Sequence, residues 1–401
     1  MTRGRFKDDG RPKKIHRLFN HKRRWILTLP GVVQSIAMLL KKKAALVIIV
    51  VKISLKKVSP LTVCSLLPGP GHVNGGNVFS LFCAVRTDVD RKRKSVVYNI
   101  VAPWAALYDR GGNKMTANYV LITDSACDIL PEKLKEWEVE LIRMPYLFTD
   151  DGKELLDHDQ PMKEFYKEMR EGRVAKTSGV NEDTFTTAFT KILDEGKDLL
   201  YLAFSGGLSV TCENGRKAAA HLAEKYPERK IRVVDSLCAS AGQGLFVFLA
   251  VQNRDRGLTV DENADAMEKD KLHLCHWFTV EDLVYLKRGG RVSAATALLG
   301  AALNVKPVLH VDNEGHLIKM TQVHGRKKSI RKMAEMLGDT ILDNTPVFIS
   351  HGDCEEDAQL LAKILKEEYG RNTDLITGIG SVIGAHSGPG TLALFFRGRE
   401  R

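Results

Sequence analysis

The sequence from Met115 to its C-terminus predicts an α/β fold. Apolar runs of strand length alternate there with amphipathic stretches of helix length, which is the pattern of strands and helices packed in layers. Polar residues directly follow several of these runs, at the points where strands of an α/β sheet end. With 401 residues, 44% of them hydrophobic, the chain is long enough for two ordinary globular domains.

The residues of this region predict each element in turn. Four short apolar runs are typical of buried strands, at 119–123, 199–204, 231–234 and 347–350. Six amphipathic stretches predict helices, and several begin with a polar residue that can cap them: 161–171, 182–193, 214–225, 240–255, 261–272 and 355–369. After a turn at 312–315, residues 316–323 predict the return strand of a hairpin.

The first 114 residues differ in composition from the rest. They hold 23 Lys and Arg against five Asp and no Glu, whereas residues 115–401 hold 37 basic and 44 acidic residues. The basic pI therefore belongs to the N-terminal segment and is no argument for nucleic-acid binding by the remainder. We interpret 1–114 as a basic extension outside the fold, produced by a start codon placed too early. A surface-seeking segment and a disordered extension are the alternatives.

Cysteine usage and hydropathy indicate the cellular location of the protein. The seven cysteines contain no CxxC pair, which predicts reduced thiols in a cytoplasmic protein without a zinc site. The apolar run at 44–51 is far below the ~20 residues that a transmembrane helix needs. We therefore expect no transmembrane segment.

Four hydroxyl-rich loops follow predicted strands or precede predicted helices. They lie at 123–125, 176–178, 205–211 and 235–236. Such loops offer hydroxyls and free backbone N–H groups, and the helix N-terminus adds partial positive charge, so each is a candidate site for a phosphate or a carboxylate. The alternative for any one loop is a simple helix cap.

Two further motifs occur in the C-terminal half. Residues 286–293 place Lys287, Arg288 and Arg291 around two glycines, which we interpret as a tight, exposed turn before a helix at 294–303; it would bind an anion or a partner, or simply be solvated. His386 lies among small residues just before an apolar run, where its side chain can reach a buried ligand.

Taken in order, these motifs resemble the DegV family over roughly residues 119–396. The resemblance rests on an ordered series of short motifs, at 123–125, 176–178, 205–211, 234–236, 286–293, 306–309 and 384–391. It implies two α/β domains, a parallel-sheet domain at 115–272 and a mixed-sheet domain at 273–398, with a long-chain fatty acid such as palmitate in a buried tunnel between them.

The resemblance also implies which residues hold the fatty acid. Thr177 and Ser209 match the family's carboxylate-binding Thr and Ser, and Ser178, Ser205 and His386 fall at neighbouring positions. The loop departs from the family pattern, because Gly206 removes a hydroxyl and Val210 replaces a glycine. Any head-group contact at Gly206 is then made by the backbone or through water.

The family further implies a non-catalytic carrier that needs no cofactor and presents its fatty acid to a fatty acid kinase, which makes the acyl phosphate for phospholipid synthesis. The surface formed by Lys287, Arg288 and Arg291 is our candidate for contact with that kinase or with its nucleotide. The chain has no Walker loop, HExxH or GxSxG motif, which agrees with binding rather than chemistry.

Two other functional classes are open from the residues alone. Asp124 is a candidate nucleophile of a phosphatase- or hydrolase-like enzyme. The basic N-terminus would alternatively make the chain an interaction protein at a membrane or a nucleic acid.

Overall fold

The chain divides into two units, Met1–Lys114 and Met115–Arg401. The computed structural model describes residues 118–292 and 304–401 in full, and the backbone of six strands that precede them. These six strands form one antiparallel sheet in sequential order: β1 (Arg24–Leu27), β2 (Val33–Leu39), β3 (Ile48–Ile53), β4 (Val63–Val73), β5 (Gly76–Arg86) and β6 (Ser95–Asn99). They were not predicted, and the interpretation of 1–114 as an extension stays a prediction.

The second unit begins with a four-stranded parallel sheet in the order β13-β12-β7-β8. Its strands are β7 (Tyr119–Asp124), β8 (Val139–Ile142), β12 (Asp198–Ala203) and β13 (Ile231–Asp235). Adjacent residues such as Leu121 and Ile122 are both fully buried, because helices cover both faces of a parallel sheet. The predicted strands at 119–123, 199–204 and 231–234 are confirmed.

Six helices accompany this part of the chain: α1 (Pro131–Glu136), α2 (Met162–Arg170), α3 (Glu182–Asp194), α4 (Thr211–Lys225), α5 (Ala241–Asp255) and α6 (Val260–Asp270). All five predicted here are confirmed, and their caps agree with the sequence. Asn181 accepts from the backbone of Thr184 before α3, and Thr259 and Glu262 form a capping box at α6. Helix α4 begins three residues earlier than predicted.

A small antiparallel sheet, β10-β9-β11, lies in the chain between strands β8 and β12 of the parallel sheet. It consists of β9 (Pro145–Phe148), β10 (Glu154–Leu156) and β11 (Ala175–Thr177). Its strands are three or four residues long, too short for a clear two-residue period, and the sequence did not predict them. Strand β11 ends at Thr177 and so positions that side chain.

The rest of the second unit is a mixed sheet in the order β16-β15-β14-β19-β17-β18, with only the β17–β18 pair parallel. Its strands are β14 (Leu274–Thr279), β15 (Val305–Val311), β16 (Leu317–His324), β17 (Val347–His351), β18 (Leu375–Gly378) and β19 (Leu392–Arg397). The predicted hairpin is β15–β16, and the predicted strand at 347–350 is β17. The mixed-sheet α/β architecture is therefore confirmed.

The described residues of this part contain four helices: α7 (Val284–Arg288), α8 (Arg326–Leu337), α9 (Glu355–Tyr369) and α10 (Ser381–Ser387). The exposed turn predicted at 286–293 is corrected, because Leu286 to Arg288 complete α7 and Leu286 is buried. The helix predicted at 294–303 lies outside the described residues. The predicted division between 272 and 273 falls just before β14 and stays a prediction.

Helix α5 connects the two larger sheets through a shared core. Its buried Leu245 and Phe246 pack in one cluster with Leu202 of the parallel sheet and with Phe278 and Phe395 of the mixed sheet. Burial of each such side chain contributes about 1.5–3 kcal/mol relative to exposure. The two sheets are thus held around α5, and the cavity described below borders the start of this helix. In the part of the chain that the structure describes, no helix has the length and apolar character to cross a membrane.

Candidate functional site

A cavity of about 790 Å³, counting its space open to solvent, lies within the second unit. Its wall is mainly apolar and comes from both larger sheets and the helices beside them, with Phe204, Leu208, Phe278, Leu286, Val382 and Phe395 among the lining residues. The apolar wall fits a hydrophobic ligand.

Hydroxyl and imidazole groups from distant parts of the chain border this cavity. Thr177 at the end of β11 and His386 in α10 meet there, with Thr177 Oγ1 and His386 Nε2 separated by 2.7 Å. Ser209 also lines the cavity, in the loop before α4, where its hydroxyl is 2.8 Å from Thr211 Oγ1 and accepts from the Thr211 backbone. The structure thus places Thr177, Ser209 and His386 on the cavity wall.

His386 is held as a neutral imidazole. Burial, together with the positive charge of Arg291, lowers the pKa of His386 to about 4. Its second nitrogen, Nδ1, is buried and has no hydrogen-bond partner among the described residues. A neutral imidazole carries one ring proton. When that proton is on Nε2 and is donated to Thr177 Oγ1, the threonine hydroxyl proton is free to point into the cavity.

Arg291 is not on an exposed surface, where the sequence prediction placed it. The side chain is half-buried and lines the cavity, its Nε donates to the Leu208 carbonyl oxygen at 3.3 Å, and its Nη1 donates to the Gly289 carbonyl oxygen. Burial lowers the pKa of its guanidinium. No carboxylate pairs with Arg291 among the described residues, so its charge is available to an anion in the cavity.

Lys287 and Arg288 are exposed, as the partner-surface prediction requires. Arg288 lies over the ring of Tyr285, with its guanidinium carbon 5.6 Å from the ring centroid. Both side chains follow the buried Leu286 on α7, so they project from the helix whose inner side borders the cavity.

Three other predicted head-group residues are not among the residues that line the cavity, and their role in binding stays a prediction. Ser178 is exposed. Ser205 is fully buried and donates its hydroxyl to the Gly315 carbonyl oxygen at 2.9 Å. The Gly206 backbone donates to both carboxylate oxygens of Asp235 at 3.2 Å. The hairpin turn and Asp235 therefore occupy the groups that the sequence assigned to a carboxylate.

Asp124, the candidate nucleophile, does not face the cavity. It is fully buried, and its Oδ2 accepts from the Tyr201 hydroxyl at 2.7 Å and from the Phe204 backbone at 2.9 Å. Its Oδ1 accepts from the Ala126 backbone at 3.2 Å. Both oxygens are engaged within the protein, so Asp124 joins β7 to the end of β12 and is not presented to a substrate. The described residues contain no cluster of side chains suited to a metal ion.

The sequence prediction did not assign two residues, Arg291 and His276, to the cavity. Arg291 was read as a surface cation because its neighbours are cations. His276 of β14 is 1% exposed and lines the cavity together with Phe278, two residues further along the same strand. The two-residue period of a strand puts both side chains on one face, a signal that is present in the sequence once β14 is known.

Comparison with known proteins supports the fold described above. Residues 118–399 match the model of a family described as uncharacterised protein, DegV family. A DegV domain-containing protein of Clostridium perfringens is 40% identical over 285 residues, which cover 70% of this chain and 97% of that protein. Another, from Streptococcus pyogenes, is 33% identical and covers 70% of this chain and 99% of its own length.

Solved structures give the same result. A DegV lipid-binding protein from Thermotoga maritima has a TM-score of 0.62 and 27% identity, covering 71% of this chain and 99% of its own. A DegV family protein from Thermus thermophilus, described by its fatty acid binding, has a TM-score of 0.61 and 27% identity, with 70% and 99% coverage. The fold predicted by resemblance is confirmed, and the chain belongs to the DegV family.

Proposed function

We propose that this protein is a non-catalytic carrier that binds one long-chain fatty acid in the cavity. The main support for the proposal is the apolar cavity, which Thr177, Ser209 and His386 border. Arg291 also lines it, and among the described residues no carboxylate forms an ion pair with Arg291. Lipid and fatty acid binding by the DegV proteins of Thermotoga maritima and Thermus thermophilus supports it.

The apolar wall supplies most of the affinity. An acyl chain with about fifteen buried methylenes gains binding free energy on the order of 12 kcal/mol, at ~0.8 kcal/mol per methylene, before the costs of immobilising the ligand and the protein. Neither Asp nor Glu lines the cavity among the described residues, so no fixed negative charge opposes a carboxylate.

The head group then needs only a few donors. In our proposal the His386 Nε2–H donates to Thr177 Oγ1, which leaves the threonine proton for the carboxylate, and the Ser209 hydroxyl donates a second bond. Arg291 adds a nearby positive charge, and charge-assisted hydrogen bonds contribute about twice as much as neutral ones. Ser178, Ser205 and Gly206 have no direct part in this arrangement.

We further propose that the bound acid is presented in the cytoplasm to a fatty acid kinase, which forms the acyl phosphate for phospholipid synthesis. The exposed cations Lys287 and Arg288 support this, because they stand on the helix whose buried side lines the cavity. A negatively charged kinase surface would meet them there, and electrostatic complementarity of this kind raises association rates.

The binding proposal is tested by native mass spectrometry and lipid extraction on the full chain purified from a bacterial host. We expect one C14 to C18 fatty acid per chain. Thr177→Ala and Ser209→Ala are each expected to weaken binding about tenfold, which corresponds to about 1.4 kcal/mol. Ser178→Ala is the matched control, because its hydroxyl is exposed beside Thr177. An unliganded chain that also ignores added fatty acids would refute the proposal.

The kinase proposal has a separate test. Charge reversal with Lys287→Glu and Arg288→Glu should slow acyl phosphate formation by a fatty acid kinase while leaving fatty acid affinity unchanged. The variant with Arg216→Glu and Lys217→Glu, two exposed positions on α4, controls for the change of net charge. Equal rates for both variants would reject this surface as the kinase contact.

A further inference from the structure

Asp157 is a buried acid to which the head-group arrangement gives no role. It directly follows β10 and is 1% exposed. Its Oδ1 accepts a hydrogen bond from the Ser381 backbone amide at 2.9 Å. Its Oδ2 is buried without a hydrogen-bond partner among the described residues, and His158 Nε2 lies 4.0 Å from it. An unpaired carboxylate oxygen in the interior costs free energy, which indicates a role other than stability alone.

The backbone of Asp157 is attached to the small sheet that carries Thr177. Its amide donates to the Met144 carbonyl oxygen at 2.9 Å, and its own carbonyl oxygen accepts from Arg143 Nε at 2.7 Å. Met144 directly precedes β9, in which Tyr146 is the register partner of Thr177. Asp157 is therefore fixed to the same strands as the threonine hydroxyl.

The side chain of Asp157 is attached to the helix that carries His386. Ser381, whose amide donates to Asp157, is the first residue of α10, and His386 lies further along the same short helix. Thr177 and His386 therefore sit on two elements that Asp157 joins. The 2.7 Å contact between Thr177 Oγ1 and His386 Nε2 depends on how these two elements are placed relative to each other.

Gly380 allows the carboxylate to approach the start of α10. A Cβ at position 380 would lie 2.9 Å from Asp157 Oδ2 and 3.1 Å from Asp128 Oδ1, closer than ordinary Cβ contacts. The Gly380 amide donates to Asp128 Oδ1 at 2.9 Å, and the Thr377 hydroxyl donates to the Asp128 carbonyl oxygen at 2.9 Å. Asp128 thus holds the start of α10 to the segment after β7, whereas Asp157 holds it to the small sheet.

Apolar packing alone does not fix the distance between Thr177 and His386. Ala385 of α10 belongs to one buried cluster with Tyr146 and Phe148 of β9, but apolar attraction has no preferred direction. A hydrogen bond is more demanding, because a shift of about 1 Å takes a short contact beyond hydrogen-bond range. The directional bond that Asp157 accepts from α10 is therefore suited to hold the helix in register with the small sheet.

We propose that Asp157 is a positioning residue for the head-group site, which keeps His386 within hydrogen-bond distance of Thr177. Asp157 is not among the residues that line the cavity, so it acts through His386 and not by contact with the ligand. This inference rests on the proposed function and adds a residue that controls recognition of the carboxylate. Loss of the Asp157 side chain should then weaken binding of the head group and spare binding of the tail.

The test compares palmitate with hexadecan-1-ol, each titrated against the delipidated full chain. The alcohol has the same chain length but no carboxylate, so the ratio of the two affinities reports on the head group. We expect Asp157→Ala to lower this ratio about tenfold, the size expected for one lost hydrogen bond to a charged group. Asp157→Asn keeps an acceptor oxygen for the Ser381 amide and should retain most of the ratio. Asp151→Ala, at an exposed position between β9 and β10, is the matched control.

A double-mutant cycle with His386→Ala separates positioning from a general structural role. If Asp157 acts through the imidazole, Asp157→Ala should change the ratio little once His386 is already alanine. Gly380→Ala crowds the same carboxylate and should lower the ratio as Asp157→Ala does, which provides a second variant if Asp157→Ala does not fold.

An unchanged ratio in Asp157→Ala, equal losses of palmitate and alcohol affinity, or additive effects of Asp157→Ala and His386→Ala would each overturn the inference, provided that the wild-type protein binds palmitate. If the wild-type protein does not bind palmitate, the proposed function fails instead.

Discussion

Gly289 leaves room for the imidazole of His386. A Cβ at position 289 would lie within 3.0 Å of His386 Nδ1, closer than real Cβ contacts come. The backbone there has φ −72°, which any residue adopts, so this glycine is required by space and not by conformation. Gly289, the first of the two glycines that the sequence suggested for a turn, thus leaves the space that is occupied by the ring bonded to Thr177.

Replacement of Gly289 by alanine is expected to displace His386 and break its bond to Thr177. We expect fatty acid affinity to fall about tenfold, equivalent to the loss of one partly buried hydrogen bond. Titration with palmitate measures this. Lys287→Ala on the same helix is the control, and equal affinities for the two variants would mean that the ring position does not matter for binding.

The depressed pKa of His386 predicts a pH-dependent stability. Between about pH 6.5 and pH 4 the unfolded chain binds a proton at His386 that the folded chain does not, so the free energy of unfolding falls as the pH falls. Above pH 6.5 both states are neutral at this residue and the effect is absent. Lowering the pH from 7 to 5 should reduce the free energy of unfolding by about 2 kcal/mol through the protonation of this residue.

Urea unfolding of the ligand-free protein at both pH values checks this expectation. His386→Gln should lose about 2 kcal/mol less than wild type on acidification, while His276 and His310 continue to destabilise both proteins at low pH because burial also lowers their pKa values. His324→Gln, at an exposed position, should behave like wild type. Parallel pH profiles of wild type and His386→Gln would contradict the prediction.

Ser205 is expected to act in stability rather than in head-group binding. Its hydroxyl joins the loop after β12 to the hairpin turn at Gly315, so Ser205→Ala should lower the free energy of unfolding by about 1 kcal/mol. Hydrogen exchange should become faster at the Gly207 amide, which donates to the same hydroxyl. A tenfold loss of palmitate affinity without faster exchange would restore Ser205 to the binding site.

Asp124 is expected to be structural. In Asp124→Asn one carboxylate oxygen becomes an NH2 group beside donors from Tyr201, Phe204 or Ala126, and a mispaired buried group costs about 1–3 kcal/mol. Thermal or urea unfolding measures that loss, with Glu140→Gln at an exposed position of β8 as control. Release of phosphate from a phosphate ester by wild type, abolished in Asp124→Asn, would instead favour the phosphatase alternative.

The hydrophobic periods and helix caps in the sequence predicted the main strands and helices of the second unit. Strands such as β7 and β17 and helices such as α9 have clear periods and caps, so their ends fall within a few residues of prediction. The three-residue strands β10 and β11 do not span enough residues to show a period. The six N-terminal strands lie in a segment whose basic runs and Gly-Pro patch hide any alternation.

The site was harder to predict because hydrogen-bond partners come from remote segments. Thr177, Ser209 and His386 were selected by resemblance, and they do border one cavity. Ser205 and Gly206 have the same chemistry, but Gly315 and Asp235 engage them, and only the folded backbone shows this. Arg291 was assigned to the surface because local sequence cannot tell a cation that turns inward from its exposed neighbours.

The bond between Thr177 and His386 joins residues 209 positions apart in the chain. This contact therefore forms only after nearly the whole polypeptide has left the ribosome, so under the proposed function no N-terminal fragment acquires a fatty acid early. Cargo in turn stabilises only the finished fold, by about 2.7 kcal/mol at a fatty acid concentration one hundred times Kd. Under the proposed function, the completed fold therefore unfolds less readily when fatty acid is abundant.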